Sequence, residues 1–329
     1  MQQPLLLLTG ATGKVGQHFI QTALRDPRFD EFNIRALCHQ RRLPQHPRVD
    51  MIHGTITDRA LVHEAMHGAT HVLHLATCKE IPEDVVDVTV KGLFWLLEEA
   101  RQSSDFQQFI LIGGDAAIGH FHNTQKEPLT EEAPFAPYPG CYALSKVLEE
   151  AMLSQYYTTY DLNGCCLRAP WIMEKDDFKY QLSFGNDVFG GPRWCDIVSA
   201  EQAQSYLESN TIPIMIDKQG APITRNFVHV FDLVDAILCS LDHPNAKQQC
   251  FHICTDEPIN YGKLAEYLQQ TRKLPSVPIS TSYYSTWLDN SKAKHLLGWR
   301  PRYDMQRLAD EAFDYQRAAD EPRKIYYPG

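Results

Sequence analysis

The chain has 329 residues, 43% of them hydrophobic, enough to bury one large core or two joined ones. Its formal net charge of −10, with no run of Lys or Arg longer than two, argues against a nucleic-acid partner. The apolar run "LLLL" (5–8) is closed at once by Thr9-Gly10, too short for a secretory core or a membrane span of ~20 residues, and the nine scattered cysteines, without a CxxC pair, read as thiols of a reducing cytoplasm.

Taken in order, "LLLL" predicts a fully buried strand, followed by a glycine turn and a helix to about Arg25. "NIRALCH" (33–39) and "VDMIHG" (49–54) read as short strands. A helix carrying Leu61, Val62, Ala65 and Met66 leads to the strand "HVLHLA" (71–76). "VVDVTVKGLFWLLEEAR" (85–101) has helical apolar spacing and precedes the strand "FILIG" (109–113). "YALSKVLEEAMLSQYYTTY" (142–160) is helical again, and "GCCLRAP" (164–170) is a strand ended by Pro170. These alternations predict an α/β fold, a doubly wound parallel sheet of Rossmann type.

Residues 173–222 lose this periodicity and mix aromatics, glycines, prolines and charges. The stretch 174–196, "EKDDFKYQLSFGNDVFGGPRWCD", suits either a pocket for a polar ring-shaped substrate or a loop packed for stability. "RNFVHVFDLVDAILCSL" (225–241) reads as a strand and a helix. "QCFHIC" (249–254), "YGKLAEYLQQ" (261–270) and "SKAKHLLGWRPRY" (291–303) follow. The expected division is a dinucleotide-binding domain at 1–172 and a smaller mixed α/β substrate-binding region at 173–329, with 223–241 returning to the first domain.

"TGATGKVG" (9–16) spaces Gly10, Gly13 and Gly16 three apart, after a strand and into a helix, the context a dinucleotide fingerprint requires. Gly10 permits the tight turn and Gly13 the approach of a pyrophosphate, which meets the helix amides and dipole. An NAD site usually ends the second strand with Asp or Glu. Here "ALCHQRR" (36–42) offers His39, Arg41 and Arg42 instead. Cationic groups suit the 2′-phosphate of NADP, so NADP is preferred to NAD, with a solvated basic loop as the alternative.

Tyr142 and Lys146 lie i, i+4 and share a helix face. A free phenol of pKa ~10 is a poor base at neutral pH, and an adjacent ammonium favours its ionised form. Such a pair can exchange a proton with a substrate hydroxyl while hydride moves to or from a nicotinamide. "HEAMH" (63–67) matches the zinc-protease pattern HExxH, but no third ligand is evident and no metal is expected.

With these features the sequence resembles the extended short-chain dehydrogenase/reductase family, the NAD(P)-dependent epimerases and dehydratases. "TGATGKVG" matches TGxxGxxG, "LHLAT" (73–77) the HLA segment, and "YALSK" the YxxxK pair. "RNFVHVFDLVDA" (225–236) resembles R-[DN]-F-V-H-V-x-D-x-x-x-A, and "AKHLLGWRPRY" (293–303) the terminal L-G-W-x-P. The resemblance implies that Gly10, Gly13, Lys14, Val15 and Gly16 line the pyrophosphate, with His39 and Arg41 at the adenosine ribose. Leu75, Ala76 and Thr77 would pass beneath the cofactor, and Ala169 and Pro170 would approach the nicotinamide. Tyr142 would be the acid/base, with Lys146 also binding the nicotinamide ribose. Arg225, Trp171 and Gly114 would face the substrate.

The departures are equally specific. Thr55 replaces the acidic residue of "GD", Thr89 the asparagine of N-V-x-G, and Gly114 the Ser/Thr that normally bonds the reacting oxygen. Dehydratases of the family carry Thr-Asp-Glu where this chain has Gly114-Asp115-Ala116, which argues against a 4,6-dehydratase and leaves Asp115 as a candidate polar contact. The expectation is an epimerase or oxidoreductase acting on a secondary alcohol or ketone of a sugar, or of a nucleotide sugar. A non-catalytic NADP(H)-binding sensor or scaffold is the alternative, disfavoured by the intact Tyr142–Lys146 pair. The helices at 85–101 and 142–160 are those through which relatives dimerise, so a homodimer is expected.

Overall fold

The computed structural model describes residues 3–124, 128–186 and 192–321. The first half runs β1 (Leu5–Thr9), α1 (Lys14–Ala23), β2 (Asn33–Cys38), β3 (Val49–His53), α2 (Arg59–Met66), β4 (His71–His74), α3 (Pro82–Val85), α4 (Gly92–Gln102), β5 (Gln108–Gly114), α5 (Cys141–Tyr160), β6 (Gly164–Ala169) and β7 (Trp171–Met173). The second runs α6 (Asp177–Gln181), α7 (Ala200–Glu208), β8 (Ile212–Ile216), β9 (Thr224–Arg225), β10 (Phe227–His229), α8 (Val230–Ser240), β11 (Gln249–His252), β12 (Ile259–Asn260), α9 (Tyr261–Arg272), β13 (Ser276–Ser280), α10 (Ser291–Leu296) and α11 (Met305–Asp314).

Seven strands form one parallel sheet in the order β11-β6-β5-β4-β1-β2-β3. Its strands read as continuous apolar runs because helices cover both faces. Leu6, Leu8, Ile110, Ile112, Cys165 and Leu167 join α1 and α8 in one core. Their alternating neighbours Leu7, Phe109, Leu111 and Cys166 join α2, α4 and α5 in another. This is the predicted doubly wound sheet. The strand order reverses between β1 and β4, which opens a crevice at their carboxyl ends.

Two elements differ from the sequence expectation. The helix expected at 85–101 is α3 and α4 joined by a π-helical turn, Val86–Lys91. Inside it Thr89 is fully buried and its Oγ1 accepts the Cys78 amide at 2.8 Å. The chain also rejoins the central sheet after residue 241, where β11 pairs in parallel with β6, Cys250 opposite Cys166, whereas β9 and β10 pair with β12 and β7 outside it.

The second core gathers Phe178, Trp194, Met215, Phe227, Tyr261, Leu268 and Leu308, beside a small parallel pair of β8 and β13. Residues 187–191 of the aromatic and charged stretch lie outside the described residues. The two family-like C-terminal segments bind each other. Buried Asp232 accepts the Arg302 and Tyr303 amides at 3.0 Å each, and Trp299 Nε1 donates to the Asp232 carbonyl at 2.9 Å. All nine cysteines are free thiols. Among the described residues no helix is long and apolar enough to cross a membrane.

Candidate active site

The carboxyl ends of β1, β4, β5 and β6 lie side by side, with Thr9 opposite His74 and Gly114 opposite Ala169. Gly10 follows β1 at φ +66°. A Cβ there would stand 2.8 Å from the Leu75 carbonyl carbon and the Ala76 amide nitrogen, so only glycine lets the two segments touch. Thr9 Oγ1 accepts both the Leu75 and Ala76 amides at 3.2 Å. With those acceptor positions taken, its proton goes to His74 Nδ1, 2.8 Å away. Burial and the nearby Lys146 charge pull His74 down to about 3, which keeps it neutral.

The start of α1 follows this turn without a side-chain cap, so its first amides are open to an anion. A Cβ at Gly16 would lie 2.6 Å from the Gly10 and Ala11 carbonyl oxygens. The open amides, the glycine cradle and the lysines described below fit a dinucleotide. Val15 packs partly against the core below. The Lys14 side chain is spent elsewhere: it donates to the Ile172 carbonyl at 2.8 Å and pairs with Asp177, both partners lying beyond β6. Burial lowers its pKa, opposed by Asp177. His39 and Arg41 are exposed just past β2, the neighbour of β1.

Tyr142 and Lys146 occupy the first two turns of α5. Glu80 holds the start of that helix, accepting the Cys141 and Tyr142 amides at 2.9 and 3.3 Å. Lys146 is buried, its Nζ 5.5 Å from the Tyr142 ring centroid and 3.4 Å from the Ile112 carbonyl. Lys79, from the segment after β4, places its Nζ 4.2 Å from the same ring. The phenol ring therefore has two ammonium groups close to it.

The two glycines of β5 differ in what surrounds them. A Cβ on Gly114 would meet Tyr142 Oη at 3.6 Å and Lys146 Cδ at 3.7 Å, ordinary contacts. A side chain here would face the pair, and room for one exists. A Cβ on Gly113 would lie 2.6 Å from Cys166 Sγ and 3.1 Å from Glu150 Oε1. Gly113 is needed for packing; Gly114 is not.

Asp115 is buried at the end of β5, within electrostatic reach of Arg225 and Tyr138. The Arg225 guanidinium sits in an aromatic cage, 3.8 Å from the Trp171 ring, 4.7 Å from Phe121 and 5.0 Å from Phe227. Burial lowers its pKa, while Tyr261 and Asp115 oppose the shift. His122 stacks on Tyr138 at 4.9 Å. Burial pushes the Tyr138 phenol well above its usual range, helped by Tyr142 and Glu80.

The structure thus brings Gly10, Leu75, Ala76, Gly114, Tyr142 and Lys146 to one edge of the sheet, with Pro170 and Trp171 following β6 there. Sequence reasoning missed Lys79, Glu80, His122 and Tyr138, whose neighbours are distant in sequence, and Glu149, which lies i, i+3 from Lys146 on one helix; the signals were that spacing and Lys79 lying two residues past the HLA segment. Of the HExxH histidines, His63 pairs with Glu99 at 2.8 Å, and the downstream His71 meets Asp242 at 2.8 Å.

A family model described as the NAD dependent epimerase/dehydratase family matches residues 6–173. The chain belongs to this family. Among curated relatives of the family member, a UDP-glucose 4-epimerase of Lactobacillus helveticus is 22% identical over 91% of this chain and 92% of its own. UDP-glucuronate 4-epimerase 1 of Arabidopsis thaliana is 23% identical over 92% and 74%. Among solved structures, a short-chain dehydrogenase/reductase superfamily protein of Agrobacterium tumefaciens with bound NAD superposes with TM-score 0.77 at 23% identity, covering 94% and 95% of the two chains. The Thermotoga maritima UDP-glucose 4-epimerase with UDP-glucose gives 0.71 at 19%, covering 94% and 98%. The fold is that of the extended short-chain dehydrogenase/reductases.

Substitution separates the glycines. Gly113→Ala is expected to lower unfolding stability by about 1–3 kcal/mol through overpacking, and Gly114→Ser to change it by less than about 1 kcal/mol. Urea denaturation of both variants checks this; a larger loss for Gly114→Ser would contradict the geometry.

Proposed function

We propose that this epimerase/dehydratase-family chain is an NAD(P)-dependent epimerase or oxidoreductase acting on a secondary alcohol of a nucleotide sugar. One observation carries the reading: Tyr142, Lys146 and the open space at Gly114 converge at the crevice of the sheet. The caged Arg225 supports a phosphorylated substrate, since a desolvated guanidinium binds phosphate strongly. The names of the relatives, UDP-glucose and UDP-glucuronate 4-epimerases, support the same class. We assign substrate binding chiefly to 173–329, apart from the segments that rejoin the sheet.

A bound nicotinamide supplies hydride acceptance and return. Tyr142 takes the substrate hydroxyl proton at its Oη and gives it back, and Lys146 and Lys79 supply positive charge beside that phenol. Gly114 offers no hydroxyl to the reacting oxygen, so the substrate or a water supplies that contact, with Asp115 beside it. The neutral His74, Thr9 and the 75–77 segment hold the cofactor edge rigid. Tyr142→Phe is expected to reduce turnover of UDP-glucose or UDP-glucuronate at least 100-fold, with cofactor affinity within about 3-fold of native. Activity unchanged in this variant would refute the proton relay; measurement is by coupled assay and fluorescence titration.

The exposed His39 and Arg41, and the missing carboxylate after β2, support NADP as the preferred cofactor. NADPH is expected to bind at least about 5-fold tighter than NADH, with Arg41→Ala removing the difference. Equal or tighter NADH binding by the native chain would defeat this preference.

Leu144 (53% exposed) and Leu148 (37%) on α5, with Phe94 (38%) on α4, leave an apolar face on two adjacent helices, which supports a homodimer through them. The free thiols suit a reducing compartment such as the cytoplasm. Sedimentation equilibrium at micromolar concentration should return two chains for the native protein and one for Leu144→Arg. A native mass of one chain rules out this dimer.

A further inference from the structure

Within five residues α5 carries three charges the core must accommodate, Lys146, Glu149 and Glu150. Glu150 is committed to Arg168, which donates to its two oxygens at 3.0 and 2.6 Å and also to His252 Nε2 at 3.0 Å. Glu149, one residue earlier, has no such structural partner. It is fully buried, and its Oε2 lies 2.8 Å from Lys146 Nζ in an ion pair between side chains 1% and 4% exposed. No aligned hydrogen bond reaches either of its oxygens among the described residues. A carboxylate so placed is tolerable only because its charge meets another.

We propose that Glu149 is a positioning residue for proton transfer: its carboxylate, two turns beyond Tyr142, keeps the buried Lys146 ammonium charged and fixed beside the phenol. This rests on the reading of Tyr142 and Lys146 as the proton relay. An ammonium has three donors; the Ile112 carbonyl accepts one at 3.4 Å, while Glu149 meets the charge itself.

The charges around Lys146 explain why a partner is needed. Burial alone would lower its pKa, and Glu149 with Tyr142 outweighs that, holding Lys146 well above the ordinary lysine range. Nothing else facing it supplies a comparable negative charge. From β4, His74 is neutral; from the segment after β4, Lys79 adds a like charge; from β6, the Cys166 thiol is held protonated by Cys250 and by burial. Glu150 is already neutralised by Arg168. Burial raises the Glu149 pKa, opposed by the adjacent Lys146 charge.

The test follows the Lys146 proton directly. In full-length protein labelled with 15N-lysine, the Lys146 Nζ signal is assigned by its loss in Lys146→Arg and followed from pH 7 upward to the pH at which the native fold is lost. Glu149→Gln, which keeps the side chain's shape, should lower the pH of Lys146 deprotonation by at least one unit, a tenfold rise in the neutral fraction at a given pH. The basic limb of UDP-sugar turnover should move to lower pH with it. An unchanged Lys146 titration overturns the proposal. Should Glu149→Gln fail to fold, recovery of folding in Lys146→Met/Glu149→Leu supports charge pairing, and failure of the double variant assigns Glu149 to packing instead. The NMR shift needs no turnover, so a shifted titration in a chain inert towards UDP-sugars would remove the proposed substrate while leaving the Glu149 assignment standing.

Discussion

The site is organised around the closest approach of two strand ends. Thr9 sits at 0% exposure between β1 and β4, its single oxygen receiving two amides from the segment that follows β4. Gly10 lets the backbones meet. A parallel sheet whose order reverses at these strands must open there, because consecutive crossovers leave to opposite faces. The threonine and glycine turn that opening into a floor of fixed depth. Residues 75–77, the start of α1 and the first turns of α5 all take their places relative to it.

On that floor, α5 gathers most of the chemistry. Glu80 meets its positive end, where a carboxylate is favoured by the exposed amides and the helix dipole. Tyr142 follows in the first turn, Lys146 in the second, and Glu149 with Glu150 in the third. One helix thus presents an anchor, a proton carrier, a charge and the group that balances it. Glu150 then ties the helix to β6 through Arg168, and His252 ties Arg168 to β11, whose burial holds that imidazole down at about 3 and therefore neutral. Fixing the helix from three sides limits how far the phenol can wander, which acid/base catalysis requires.

Much of this was legible in the sequence where the pattern is local. "LLLL" reads as a strand because both of its faces are buried, and the structure sends Leu6 and Leu8 one way and Leu7 the other. The glycine turn and the Tyr142–Lys146 pair were legible because their spacings are set by one turn or one helix. The π-helical turn was not, since an extra residue in a helix leaves the apolar spacing nearly intact. Nor was β11, four residues long and recognisable only by its pairing with β6. The Lys14 side chain is the instructive case: its backbone lies in the fingerprint, but its ammonium crosses to Asp177, 163 residues away. Lys79 escaped for the same reason, because adjacency across the fold leaves no spacing to read, whereas Glu149 was readable in principle as the i, i+3 neighbour of Lys146.

Thr89 shows what such adjacency demands. Its hydroxyl, inside the π-helical turn, receives the amide of Cys78, and Lys79 is the next residue along. The position of a cation on the Tyr142 ring is therefore inherited, through one amide, from an oxygen on a different helix. The requirement at position 89 concerns where an oxygen atom stands rather than which amino acid carries it.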